Sequence, residues 1–445
     1  MKENGMIDKM RATARGVIAA AKECGCDEAQ VSVGSGRSIK VGYEKNDFNL
    51  AASLEETACS LVIHKDRRKG SAQTNDVSTE SLRKAVENAL AISRFSVPDE
   101  YLCLPDPAKP APLEGRFDPA IENLPMEQLR DLAQTFLGEA KSDRRISMDS
   151  GEVRSAVRHN VMMNSRGLDV SDAATSVEWS LMGMGIDGKD VTSFDYLGGS
   201  SFRWKGSEEE ATATARALRD KLLSCFGARK GESYRGHVLL SPAALSSLLI
   251  SPLCAQLSGK SIVDNSSRWG KALGERVAAE SLTMTDDPFD LRLAGAGPYD
   301  GEGVPTRKLT LLEKGVLKAH FDSTYTARRR GTQPTGHAGF APNGLSILPG
   351  TKSLAEMRKA APTLVEVNRF SGNVDPISGN FSGIAKGSRL YKNGELSHPL
   401  KETMIAGNFF ELLRNIAALS DKADCFCNGF YAPFILVDGV SVSVG

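Results

Sequence analysis

The sequence predicts an α+β fold: tandem helix-strands-helix units in the N-terminal half, followed by a β-rich C-terminal domain. Three observations predict it. A helical repeat, several short β-branched or alternating segments and a second helical repeat occur in that order twice before residue 230. A proline-rich stretch separates the two occurrences. Beyond Gly227–Gly236 the composition shifts toward glycine and hairpin turns, so the last two hundred or so residues read as β-rich.

The elements follow in order. Ile7, Met10, Ala14, Val17, Ile18 and Ala21 recur at helical spacing and predict an opening amphipathic helix that ends near Gly25. Val31–Val41, Phe48–Leu54 and Thr57–His64 read as three meandering strands. A helix then starts at Ser78 or Thr79 with Leu82, Val86, Ala89, Leu90 and Ile92 on its apolar face. It ends before Pro98, Pro105, Pro107, Pro110, Pro112 and Pro119, which withhold amide donors and hold the chain extended. The second unit has a helix at Met126–Ala140, strands between Ile146 and Phe202 with a turn at Asn164–Gly167, and a helix from Ser207, where Ser207 and Glu210 have capping-box spacing. In the last part three helices are expected: Pro242–Gln256, one starting at the Ser353 and Glu356 capping box, and Asn408–Leu419. Asn393-Gly394 and Asp438-Gly439 read as two-residue hairpin turns. The expected domains are 1–110 with its proline-rich linker, 111–230 and 231–445.

Length and charge bound the function. At 445 residues the chain is about three times the ~150 residues of a common domain. Lys plus Arg and Asp plus Glu both number 55, so no net basic field draws nucleic acid. Charges spread through the first 22 residues argue against a secretory signal. The longest uncharged stretch, Gly236–Gly259, carries five serines and two prolines and predicts a buried helix, not a membrane span. Eight cysteines without a signal read as reduced thiols of a cytoplasmic protein.

Several motifs carry less chemistry than they suggest. Gly183, Gly185 and Gly188 fit a GxGxxG string, but a strand-like segment follows where a helix is required, so a turn between strands is expected. Gly259-Lys260-Ser261 lacks the first glycine of a phosphate loop and reads as a loop. The nearest two histidines, His320 and His337, are 17 positions apart, so no helix-borne zinc pair exists. Cys24-x-Cys26 and Cys425-x-Cys427 lack knuckle spacing and read as small buried thiols. Arg328, Arg329 and Arg330 read as a solvated face, with anion or partner binding as the alternative.

A longer pattern runs through the C-terminal third: Asp300-Gly-Glu-Gly-Val-Pro-Thr-Arg307, Glu313-Lys-Gly-Val-Leu317, Thr335-Gly-His-Ala-Gly339, Ile377-Ser-Gly-Asn-Phe-Ser-Gly383, Asn393-Gly-Glu395, Pro399 and Thr403-Met-Ile-Ala-Gly-Asn408. These blocks, with Lys69-Gly-Ser-Ala72 and the helix before Pro98, resemble the TldD/PmbA family, long called modulators of DNA gyrase and associated with metal-dependent proteolysis. The resemblance is to the PmbA (TldE) branch and covers nearly the whole chain. In the TldD branch a His-Glu-x-x-x-His segment supplies two zinc ligands and a base, with a late cysteine as a third ligand. Ser241, Pro242 and Ser246 stand at the matching positions here, and Cys427 matches the cysteine.

The resemblance therefore implies a metal-free subunit that pairs with a TldD-like zinc-bearing partner in a cytoplasmic peptidase acting on peptides or unfolded proteins. Gly379, Asn380, Phe381, Gly407 and Asn408 are candidates for a peptide groove or for structural turns, since glycine-lined edges can accept an added strand. Two alternatives stand beside this reading. One is a homodimeric peptide-binding or regulatory protein of the gyrase-modulator kind. The other is a peptidase with a different site, using Cys427 or a zinc centre assembled from distant histidines.

Overall fold

The computed structural model describes residues 2–444 and has two β-sheets, each backed by helices. The N-terminal half contains α1 (Lys2–Glu23), β1 (Glu28–Glu44), β2 (Asp47–Lys65), β3 (Arg68–Thr74), α2 (Thr79–Ser93), α3 (Pro119–Glu122), α4 (Met126–Ala140), β4 (Ile146–Asn164), β5 (Asp169–Asp187), β6 (Asp190–Val191), β7 (Asp195–Ser201) and α5 (Ser207–Leu223). Its strands form one sheet in the order β3-β2-β1-β4-β5-β6, with β7 also on β5. Strands from both sides of the proline-rich connector therefore share a sheet, joined at the antiparallel β1–β4 seam.

One face of this sheet is apolar because the odd-numbered residues of β1 and β4 point the same way. Val31, Val33 and Val161 pack under α1 and α2, and Ile39, Val41 and Val153 pack under α4 and α5. The i, i+4, i+7, i+11 series Met10, Ala14, Val17 and Ala21 buries the matching stripe of α1. The opposite face carries small and polar residues, and it meets the C-terminal half where Asn160 bonds Tyr299 and Ser200 bonds Asn428.

The C-terminal half contains β8 (Tyr234–Leu240), α6 (Pro242–Leu257), α7 (Gly259–Val263), β9 (Met284–Asp286), β10 (Leu309–Glu313), β11 (Val316–Leu317), α8 (Thr324–Arg330), β12 (Leu345–Ile347), α9 (Leu354–Arg358) and β13 (Thr363–Val367). It continues through β14 (Arg369–Val374), β15 (Asn380–Lys386), β16 (Arg389–Lys392), β17 (Glu395–Pro399), β18 (Thr403–Asn408), α10 (Phe409–Arg414), β19 (Ile416–Phe426) and β20 (Phe430–Val444). β8 is central, antiparallel to β20 and parallel to β13, and its Val238, Leu239 and Leu240 are fully buried. Such a continuous apolar run suits a strand covered on both faces. The α+β class read from the sequence is what is found.

Several local expectations are corrected. β2 runs unbroken from Asp47 to Lys65, because Glu55 and Glu56 pair with Arg37 and Gly36 instead of turning, and β3 adds a strand not foreseen. The cap of α5 is Gly206 with φ 92°, not Ser207, whose buried hydroxyl donates to the Arg203 carbonyl. Asp438-Gly439 is a bulge within β20, since Val440 resumes pairing with β8. Gly183 and Gly185 lie inside β5 and only Gly188 is in the turn. A Cβ at Gly183 would stand 2.6 Å from the Ser147 carbonyl, and one at Gly185 2.7 Å from the Phe226 ring. Gly259-Lys260-Ser261 opens α7, capped by Ser258, and α7 and α8 raise the C-terminal helices above the three expected. The helix at Asn408 stops at Arg414, since Ile416 and Leu419 pair with β20.

Candidate functional site

The start of α6 follows from ordinary capping chemistry. Ser241 leaves β8 in an extended conformation, accepts the Ala244 amide at 3.2 Å through Oγ and donates the same hydroxyl to the Asn368 carbonyl at 2.6 Å. Pro242 occupies the first turn, where its missing N–H costs nothing. Both are buried, while Ser246 is half-buried one turn on. The backbone amide of Ser241 donates to the Val367 carbonyl at 3.1 Å, which ties the helix to the end of β13. These three residues do not fit a zinc ion: the one buried hydroxyl is satisfied twice, a proline side chain has no ligating atom, and Ser246 offers only another hydroxyl. Among the described residues, no group of three or more His, Cys, Asp and Glu side chains gathers where an ion could sit.

Arg369, next after Asn368, joins this corner to the N-terminal sheet. Its Nε meets Asp195 at 3.1 Å and its Nη2 donates to the Phe194 carbonyl at 2.9 Å, while Lys221 approaches the other oxygen of Asp195 at 2.9 Å. Cys427 lies beside the same corner, in the turn between β19 and β20 with φ 49°. Burial pushes its thiol pKa up; the Gly198 amide and Lys221 oppose this and Asp195 adds to it. A buried thiol of this kind is a poor nucleophile. Cys24, Cys26 and Cys427 are half-buried and Cys425 is exposed, against the expectation that both pairs are buried.

The structure brings Gly379, Asn380, Phe381, Gly407 and Asn408 together where β15, β18 and α10 meet. Asn380 pairs with Asn408 and Phe381 with Gly407 across the two strands. Asn408 caps α10 by accepting the Phe410 amide at 3.0 Å, and its side-chain amide donates to Ser378 and Asn380. Gly379 has φ 79° and accepts the Phe409 amide at 2.7 Å. Phe381 is 4% exposed, and its ring fills the space where a side chain on Gly407 would be. In this junction Gly379 and Phe381 are buried, Gly407 and Asn408 half-buried and Asn380 exposed. The open edge lies one strand away: among the described residues β14 pairs only with β15, and its Ser371, Gly372 and Asn373 are exposed.

Two buried histidines are bound into separate contacts. His337 Nε2 lies 2.8 Å from Asp286, buried, with its ring stacked 4.2 Å from Phe321. His320 Nε2 donates to the Trp269 carbonyl at 3.0 Å and its Nδ1 accepts from Arg330 at 2.9 Å. Within the arginine run Arg328 and Arg329 are exposed, as a solvated face would be, and only Arg330 turns inward. Arg330 also pairs with buried Asp322 at 2.6 Å, Arg328 reaches the Leu102 carbonyl and Arg329 bonds Tyr325. Sequence reasoning missed Asp195, Lys221, Arg369 and the Asp286–His337 pair. No spacing signals them: the last pair is separated by 51 positions.

Three successive segments match models of one family: PmbA/TldA metallopeptidase domain 1 over residues 29–93, the central domain over 119–225 and the C-terminal domain over 233–444. The three matches together make this a protease-related chain. It is 26% identical to Metalloprotease PmbA of Escherichia coli O157:H7, over 90% of this chain and 89% of that protein. It is also 26% identical to the Metalloprotease PmbA homolog of Haemophilus influenzae, over 93% and 92%. The crystal structure of TldE from Thermococcus kodakarensis has the same fold, with a TM-score of 0.86 over 97% of this chain and all of that one at 23% identity. The chain belongs to the PmbA/TldD family.

Proposed function

We propose that this chain is the metal-free, PmbA/TldE-like subunit of a two-component peptidase, and that a TldD-like partner bears the zinc. The observation that carries the reading is the start of α6. Where the family's zinc-binding segment is expected, Ser241 and Pro242 form a fully bonded helix cap with no spare donor. The role left to this chain is to hold substrate. The free edge of β14 starts beside that cap and offers backbone donors and acceptors to an extended peptide from any sequence, as suits unfolded substrates. Cys427, with its thiol pKa raised by burial, does not favour a cysteine-based site in the isolated chain.

The test takes the purified chain alone and then from a native extract. Alone it is expected to hold no stoichiometric zinc and to show no chelator-sensitive peptidase activity. Affinity capture is expected to recover a zinc-bearing relative, with activity appearing in the complex. Recovery only of a second copy, or of a topoisomerase, would favour the homodimeric regulatory alternative.

A further inference from the structure

A cavity of about 680 Å³ lies between the proline-rich connector and the C-terminal half. Its walls come from places far apart in sequence: the connector at 103–108, the turn between β4 and β5, the segment after Gly303, and α8 with the loop that follows it. Three guanidinium groups, Arg166, Arg307 and Arg328, line it with a single carboxylate, Asp106. That carboxylate is already bonded to Arg166, which also meets Glu28 at 3.2 Å. Arg328 reaches the Leu102 carbonyl at 2.9 Å. Arg307 has no partner among the described residues, and the buried Thr324 hydroxyl in the same wall has none either.

Asp106 and Glu28 answer Arg166, and Glu302 is taken up by the Thr324 amide, which leaves Arg307 and Arg328 without a carboxylate partner among the described residues, so an anion entering the cavity gains two charge-assisted contacts. Planar guanidiniums match the paired oxygens of phosphate and carboxylate groups. Pro105, Pro107, Pro305 and Pro334 supply stiff walls without amide donors. The volume is that of a metabolite-sized site. We propose that this cavity binds a small oxyanion, a phosphate- or carboxylate-bearing metabolite, with Arg307 and Arg328 as its contacts. A ligand held there touches both the connector and the C-terminal half, so its binding fastens the connector in place. This site is separate from the α6 corner and does not depend on the peptidase reading.

Calorimetric titration of the full chain tests it, with inorganic phosphate in one arm and citrate in the other at matched ionic strength. Saturable binding of one equivalent is expected from at least one probe, and the stronger arm identifies the anionic group. Arg307→Glu is expected to weaken it by about tenfold or more, the scale of one reversed charge-assisted contact. Because Arg307 holds nothing in place, that variant keeps its fold. Arg83→Glu, the same charge change on the exposed surface of α2, is expected to leave binding unchanged. Hydrogen exchange of residues 102–108 is expected to slow with ligand. Failure of both probes to saturate overturns the proposal, as does equal weakening by the two variants.

Discussion

Ser241 is one hydroxyl with two jobs, a donor to Asn368 and an acceptor for Ala244. Ser241→Ala removes both and leaves a buried carbonyl without that donor, so a loss of about 1–2 kcal/mol is expected from urea unfolding. An unchanged midpoint would show that the cap is dispensable. His320 sets a pH dependence. Burial lowers its pKa below the ordinary 6.5; Arg330 adds to this, while the Trp269 carbonyl and Asp322 oppose it. The folded chain therefore takes up this proton less readily than the unfolded chain. The stability it contributes is whole above about pH 6.5 and declines as pH falls toward the lower folded value. His320→Gln is expected to flatten that part of the stability profile measured by chemical denaturation between pH 7 and 5. A parallel profile in the variant would assign the decline to other groups.

At the scale of elements, the close seat of α2 on β3 rests on Gly70. A Cβ there would lie 1.9 Å from the Ala89 carbonyl oxygen, which is backbone and cannot swing away. Gly70→Ala is expected to lift α2 from the sheet and cost about 1–3 kcal/mol, read as a lower Tm by circular dichroism. An unchanged Tm would mean that the helix shifts freely. The period of α1 and the helix starts at Ser78 and Ser353 were legible in the sequence because their signals sit within four residues. The errors fell where a distant strand supplied the partner. Glu55 and Glu56 read as a break until β1 is set beside them, and Asp438-Gly439 reads as a hairpin until β8 takes up Val440.

At the scale of the whole molecule, polar contacts at several places join the two halves, among them Tyr325 to Asp99 and Arg389 to Ser224. Asp195, itself 3% exposed, holds Lys221 on the N-terminal side and Arg369 on the C-terminal side, and Asn428 bonds both the Ser200 amide and the Arg292 carbonyl. Asp195→Asn leaves two buried cations short of a counter-charge, and about 3–5 kcal/mol is expected to be lost. Because the loss falls between the sheets, differential scanning calorimetry is expected to resolve two endotherms. A single endotherm at the original temperature would place the coupling elsewhere.

Sequence alone determined the class, the alternation of helix, strands and helix in the N-terminal half, the family blocks and the absence of paired histidines, since each is a matter of residue type at short spacing. Only the tertiary structure decided that the two N-terminal units share one sheet. It also decided that the groove candidates gather where β15, β18 and α10 meet, and that Asp195, Arg369 and Lys221 meet. Those contacts join residues from 26 to 174 positions apart, and at such separations pairing is set by which buried surfaces and charges can satisfy one another in the compact chain.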